Sequence, residues 1–310
     1  MKILILGSGG VGGYFGAKLA ISGADVSFVA RGKHFHSISK KGLRLQSSLG
    51  NIIIKQTSVF ESSRDAGIAD VIMNCVKMWD LEDASYDLKY NLDKKSIVIP
   101  FQNGIDSEKI LCKTLGNNHV VGGLAHISAK ILKPGVIDHN GKLAKLIFGA
   151  IKENKSRSTL VSIEKFKKLC LKANIDTHIS GNISLEIWKK FIFLVAFSGV
   201  TTLTKKPIGL IRRNKDLRDF FYLVMEEVFE IAEKFGIRFK ENPLANWERI
   251  IDAMPFNYRA SMYEDLRMGR KLELPWLSLR VVQLGRQLKV NTPKNLEIVR
   301  GLESYIDGKS

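Results

Sequence analysis

Short runs rich in β-branched residues punctuate the first part of the chain, at 2–6, 25–30, 51–60, 71–76, 96–101, 120–127 and 143–148, and each is predicted to form a strand. Segments of helical spacing fall between several of them. Strand and helix in alternation imply a parallel sheet covered on both faces, because parallel neighbours need a crossover and the crossover is usually a helix. Pro134-Gly135 and Asn140-Gly141 are turn signals that separate later strands able to pair as hairpins. From Asn182 onward the period changes, and 182–200, 215–236, 259–268, 274–289 and 294–307 carry apolar residues at helical spacing. The pattern therefore predicts an α/β domain over 1–178 and an all-helical domain over 179–310, with no long linker between them and a ligand cleft at their border.

Gly7-Ser8-Gly9-Gly10-Val11-Gly12 sits directly between the first predicted strand and a helical run over 11–22. In that context, Gly7 permits the tight turn, Gly9 lets backbone amides approach a pyrophosphate, and Gly12 allows the helix to pack closely on the strand. The helix start offers unpaired N–H groups and the positive end of a dipole. The six residues Gly7, Ser8, Gly9, Gly10, Val11 and Gly12 are thus candidate dinucleotide ligands, and the α/β domain is predicted to be a Rossmann-type doubly wound sheet. Where NAD-binding chains end their second strand with an acid for the ribose 2′-hydroxyl, this chain has Arg31, with Lys33 close by. A guanidinium there suits a 2′-phosphate, so NADPH/NADP+ is preferred to NAD, against the plainer reading of a surface arginine in a loop.

The composition, 45% hydrophobic and 25% charged over 310 residues, suits a globular chain of two domains. A formal net charge of +17 favours an anionic partner without choosing among a phosphate-bearing cofactor, an acidic substrate and nucleic acid. The basic clusters lack interleaved aromatics or zinc-finger spacing, which argues against nucleic acid. Three scattered cysteines offer no disulfide framework and suit a reducing cytoplasm, and no apolar stretch is long enough for a membrane span or an export signal. The six histidines form no HExxH or Cys/His cluster, so no metal is expected, and no Gly-x-Ser-x-Gly elbow marks a serine hydrolase.

Reduction of a ketone by a nicotinamide needs a proton donor. Within 186–197 the helix turns from amphipathic to apolar on all sides just after Lys190, and a lysine at that entrance would lose hydration and with it basicity. Local spacing does not choose between Lys189 and Lys190, and a surface pairing with Glu186 is the plainer alternative.

In their order and spacing, the glycine motif with Arg31, Val76-Lys77, Gln102-Asn103-Gly104, Trp188-Lys189-Lys190, Ser261-Met262 and Lys271-Leu272-Glu273-Leu274 resemble the ketopantoate reductase (2-dehydropantoate 2-reductase) family over nearly the whole chain. The resemblance implies NADPH-dependent reduction of ketopantoate to pantoate, on the route to pantothenate and coenzyme A. It implies Lys190 as the catalytic residue and Lys77 near the cofactor or the substrate. Asn103 would lie at the nicotinamide side, Glu273 on a substrate hydroxyl and Ser261 on the substrate carboxylate. Without it, Asn103-Gly104 would read as a turn and Glu273 as a solvated helix-start carboxylate. The family's asparagines four and eight residues after the lysine are Leu194 and Ser198 here, which leaves Ser198 as the candidate substrate contact on that helix face, and Pro275 and Ser278-Leu279 replace the Asp and Asn-Gly after the glutamate. These departures keep open a different 2-oxo acid, or an NADP-binding regulator without catalysis. The expected assembly is a monomer or a homodimer.

Overall fold

The computed structural model describes residues 1–309. Ten strands form: β1 (Lys2–Leu6), β2 (Asp25–Val29), β3 (Leu43–Ser47), β4 (Ile52–Ile54), β5 (Ser58–Phe60), β6 (Val71–Asn74), β7 (Ile97–Pro100), β8 (Val121–Lys133), β9 (Val136–Ala150) and β10 (Asp176–Ile179). The helices are α1 (Gly10–Ile21), α2 (Gly32–Lys41), α3 (Leu81–Asp87), α4 (Ser107–Leu115), α5 (Arg157–Lys172), α6 (Ile183–Thr204), α7 (Ile208–Arg213), α8 (Lys215–Lys234), α9 (Trp247–Ala253), α10 (Ser261–Arg267), α11 (Ser278–Leu288) and α12 (Pro293–Leu302). The chain divides into two compact units, one of Met1–Gln102 with Asp106–Glu186, the other of Asn103–Ile105 with the chain from Ile187 onward. The division thus falls within α6 rather than at residue 178.

In the first unit, five parallel strands are ordered β5-β2-β1-β6-β7. The chain winds outward from β1 through β2 to β5, then returns to the other side of β1 for β6 and β7. That reversal makes the carboxyl ends of β1 and β6 the switch point where open sheets of this kind take ligands. A second, mixed sheet is ordered β10-β9-β3-β4 with β8 on β9; the β8–β9 hairpin agrees with the pairing expected of the later strands, whereas β3 and β10 were not predicted. The stretch read as one strand over 51–60 is two: β4 pairs antiparallel with β3, and β5 pairs parallel with β2. Pro134-Gly135 does turn between β8 and β9. Asn140-Gly141, by contrast, lies inside β9, where the register slips between Ile127↔Ala144 and Ala129↔His139 and the extra residues bulge out.

Helix α1 is enclosed by both sheets, and its glycines record this. A Cβ on Gly16 would lie 2.9 Å from Ile5 Cγ1 on β1, and one on Gly13 would lie 2.6 Å from Ile137 Cγ1 on β9. Gly12 packs on the Gly7 carbonyl and Gly10 on the Ala129 carbonyl of β8, both closer than any Cβ allows. A helix buried on opposite sides has no polar face to show, which is why Tyr14, Phe15, Ala17 and Leu19 are all buried.

The second unit packs around α6. Trp188, Phe191, Ile192, Val195, Ala196 and Val200 are buried there among residues of α7, α8, α11 and α12. The five predicted helices are present with two short additions, α7 and α9. Pro275 sets a tight 3-10 turn at Leu274–Trp276 before α11 begins, and α12 ends at Leu302. The α8 carboxylate of Glu227 accepts from the backbone N–H groups of Lys294 (2.6 Å) and Asn295 (2.9 Å), capping α12. Among the described residues, no helix is long and apolar enough to cross a membrane.

Candidate active site

The glycine loop leaves β1 at the switch point. Gly7 has φ +92°, and a Cβ on it would sit 2.8 Å from the Val76 nitrogen, so both backbone and space require glycine. Ser8 turns inward: its N–H and its hydroxyl both donate to the Val29 carbonyl, at 3.0 and 2.8 Å. Both Ser8 donors are therefore used within the fold, where they fix the loop against β2. Gly9 caps α1 with no side-chain bond, and nothing lies within 4 Å of the Cβ it lacks. The absence of a side chain there serves whatever approaches from outside, and the uncapped helix start beside it favours an anion. Gly10 and Gly12 are fixed by internal packing, and Val11 is half-buried against the core.

Arg31 is the residue from which α2 starts. Its guanidinium is 69% exposed and 4.0 Å from the Asp80 carboxylate, an exposed pair of little strength that an incoming phosphate can outbid. Lys77 opens the turn after β6, with its ammonium 5.3 Å from the centre of the Trp79 ring. Asn74, absent from the sequence reading, and Gln102, given no role there, brace the neighbouring strand ends: Gln102 Nε2 donates to Asn74 Oδ1 at 2.8 Å. Their polarity at the ends of apolar strands was the available signal.

A second cluster lies in the helical unit, to which Asn103–Ile105 belongs. Lys190 Nζ donates to Asn103 Oδ1 at 3.0 Å, and Asn103 Nδ2 donates to Glu273 Oε2 at 3.4 Å. The ammonium and the carboxylate fix which way the amide faces, since a lysine can only donate and a carboxylate only accept. Burial pushes the Lys190 ammonium down to about 8, while the negative charge of Glu273 works against that shift. An ammonium of that acidity, hydrogen-bonded to Asn103 at the edge of a core, can give a proton to an oxygen that is gaining charge.

Lys190 joins this cluster, whereas Lys189, its equal by local spacing, is exposed. Glu273 is 4% exposed, unlike the solvated carboxylate that its local sequence suggests. Ser198 lies buried two turns after Lys190 on α6, with Leu194 half-buried between them, and Ser261 is exposed at the first residue of α10. Among the described residues, no group of three or more His, Cys, Asp or Glu is placed to hold a metal.

Residues 3–153 match the sequence profile of Ketopantoate reductase PanE/ApbA, and residues 182–305 match that of Ketopantoate reductase PanE/ApbA C terminal. An uncharacterized oxidoreductase, YkpB, of Bacillus subtilis is 29% identical, covering 98% of this chain and 99% of its own. The 2-dehydropantoate 2-reductase of Pyrococcus abyssi is also 29% identical, over the full length of both. Among solved structures, a PanE/ApbA family ketopantoate reductase from Ralstonia eutropha aligns with TM-score 0.88 at 26% identity, over 98% of both chains. D-mandelate dehydrogenase, in a ternary structure with NADH and anilino(oxo)acetate, aligns with TM-score 0.89 at 20% identity over 98% of both, a likeness of fold.

Proposed function

This chain belongs to the ketopantoate reductase PanE/ApbA family, and from that premise we propose that it is a cytoplasmic NADPH-dependent reductase converting 2-dehydropantoate to pantoate. The observation that carries the reading is the Lys190-Asn103-Glu273 chain, an acidified ammonium held in line by an amide that a buried carboxylate orients. The first unit has the features that a dinucleotide requires: an open approach at Gly9, an uncapped α1 and an exposed guanidinium at the start of α2.

When bound, NADPH supplies a hydride to the ketone carbon. The backbone amides from Gly9 to Gly12 would hold the pyrophosphate, Arg31 would pair with the 2′-phosphate, and Lys77 would add positive charge near the cofactor or substrate. Lys190 gives its proton to the ketone oxygen as negative charge develops there. Asn103 keeps the ammonium aimed while the substrate arrives. Glu273 accepts from a substrate hydroxyl, with Ser261 on the carboxylate and Ser198 the remaining polar group on the α6 face.

Leu194 favours a second reading, in which the same chemistry acts on a 2-oxo acid with a more apolar side chain. An apolar group one turn after Lys190 cannot satisfy a polar substrate atom, and an unpaired one costs about 1–3 kcal/mol. Comparing kcat/KM for 2-dehydropantoate with a panel of alkyl and aryl 2-oxo acids separates the two. The first reading expects 2-dehydropantoate to lead the panel. A larger value for an aryl or branched-alkyl acid would replace it with the second, and saturable NADPH binding without turnover of any acid would leave a regulator.

A further inference from the structure

His34 lies outside the residues assigned so far, yet both of its ring nitrogens are engaged. The Gly135 N–H donates to Nδ1 at 3.0 Å, and Nε2 lies 2.8 Å from the carbonyl of Ser8, in the middle of the glycine loop. A backbone N–H can only donate, so Nδ1 is the acceptor and Nε2 carries the hydrogen given to Ser8. The ring is therefore neutral, in agreement with the downward shift that burial imposes on it.

Two of the three elements that meet at this ring, the glycine loop and the start of α2, are ones that would hold the dinucleotide, and the third is the β8–β9 turn. His34 lies in the first turn of α2, where the Phe35 N–H donates to the Arg31 carbonyl at 3.3 Å, so its position and that of Arg31 are set together. One turn on, Ser37 Oγ donates to the Pro134 carbonyl at 2.9 Å, and the Gly135 carbonyl accepts from the Arg44 N–H at 2.9 Å. The β8–β9 turn is thus fastened to α2 and β3, and it braces the far side of His34. The same hairpin presses on α1 through Ala129 and Ile137.

We propose that His34 is a positioning residue for the dinucleotide: by holding the Ser8 carbonyl, it sets the spacing between the pyrophosphate loop and the guanidinium of Arg31. The inference rests on the cofactor reading above. Ser8 keeps its two bonds to Val29 without His34, so the loop would persist and lose only its register with α2. A shift of a fraction of an ångström between two anion subsites weakens a ligand that must fill both.

The test measures dissociation constants for NADPH and NADH by fluorescence titration, together with kcat, the 2-oxo acid KM and thermal melting, for wild type, His34→Ala, His34→Gln and Arg31→Ala. His34→Ala is expected to weaken NADPH by about tenfold and NADH by less, with kcat at saturating NADPH within about twofold and the acid KM unchanged. The amide of His34→Gln can donate to the same carbonyl, and it should return the NADPH constant to within about threefold of wild type. An unchanged NADPH constant in His34→Ala, beside a loss in Arg31→Ala, overturns the role of His34 alone. Equal losses for NADPH and NADH with a lowered melting temperature and no rescue by Gln would also overturn it, leaving His34 a fold-stabilising residue. Wild-type protein that binds neither nucleotide would sink the cofactor reading itself and this inference with it.

Discussion

Lys190 shows how a residue's neighbours decide its chemistry. Burial lowers its pKa to about 8, so at neutral pH the ammonium is still the major form, yet it is far more acidic than a surface lysine. A general acid works in its protonated form, so turnover should fall as pH rises through about 8 and level off below that value. Lys190→Ala should lower kcat by about 100-fold or more and abolish that alkaline limb. In Asn103→Asp, a carboxylate replaces the amide oxygen now 3.0 Å from the ammonium, which should move the limb upward by about one to three pH units in a pH–rate profile. An unmoved limb would assign it to another group. The choice between Lys189 and Lys190 was not legible from spacing, because both stand at the helix entrance and only the packing of α6 buries one side of it. The burial of Glu273 was equally hidden, since it depends on helices distant in sequence.

At the scale of elements, the glycine motif was legible because each glycine has a local cause, but two different causes act within it. Gly10 yields to a protein carbonyl, whereas Gly9 faces open space. Gly10→Ala should therefore destabilise the protein by about 1–3 kcal/mol or more in denaturant melts, through overpacking against Ala129. Gly9→Ala should leave the melt within about 0.5 kcal/mol of wild type while weakening NADPH by about tenfold or more. If Gly9→Ala binds NADPH normally, the open side of the loop is not the pyrophosphate site. In the helical unit, Glu227→Ala removes the acceptor for two α12 N–H groups and is expected to cost about 2–4 kcal/mol. Strand partners were the least legible elements. The run over 51–60 reads as one strand although polar Lys55, Gln56 and Thr57 interrupt it, and which sheet each half joins depends on partners distant in sequence; β10, the short segment Asp176–Ile179, has no alternation strong enough to announce an edge strand.

For the whole molecule, the passage from strand-helix alternation to helices alone was visible in hydrophobic period. The membership of Asn103–Ile105 in the helical unit was not, because three residues in the middle of an α/β sequence join it only through tertiary contacts. The net charge of +17 acts at this scale too. Long-range attraction for an anionic dinucleotide is screened by salt, so the NADPH dissociation constant should rise by about threefold or more between low and several-hundred-millimolar ionic strength. An affinity indifferent to salt would mean that the excess charge plays no part in capture. Proton transfer by Lys190 to a 2-oxo acid reduced with NADPH is the step on which the proposed activity depends. Its most direct test is the initial rate of NADPH oxidation with 2-dehydropantoate by wild type and Lys190→Ala side by side. Saturable turnover by wild type and a rate about 100-fold or more lower for the variant are expected; equal rates for the two proteins would contradict proton transfer by Lys190.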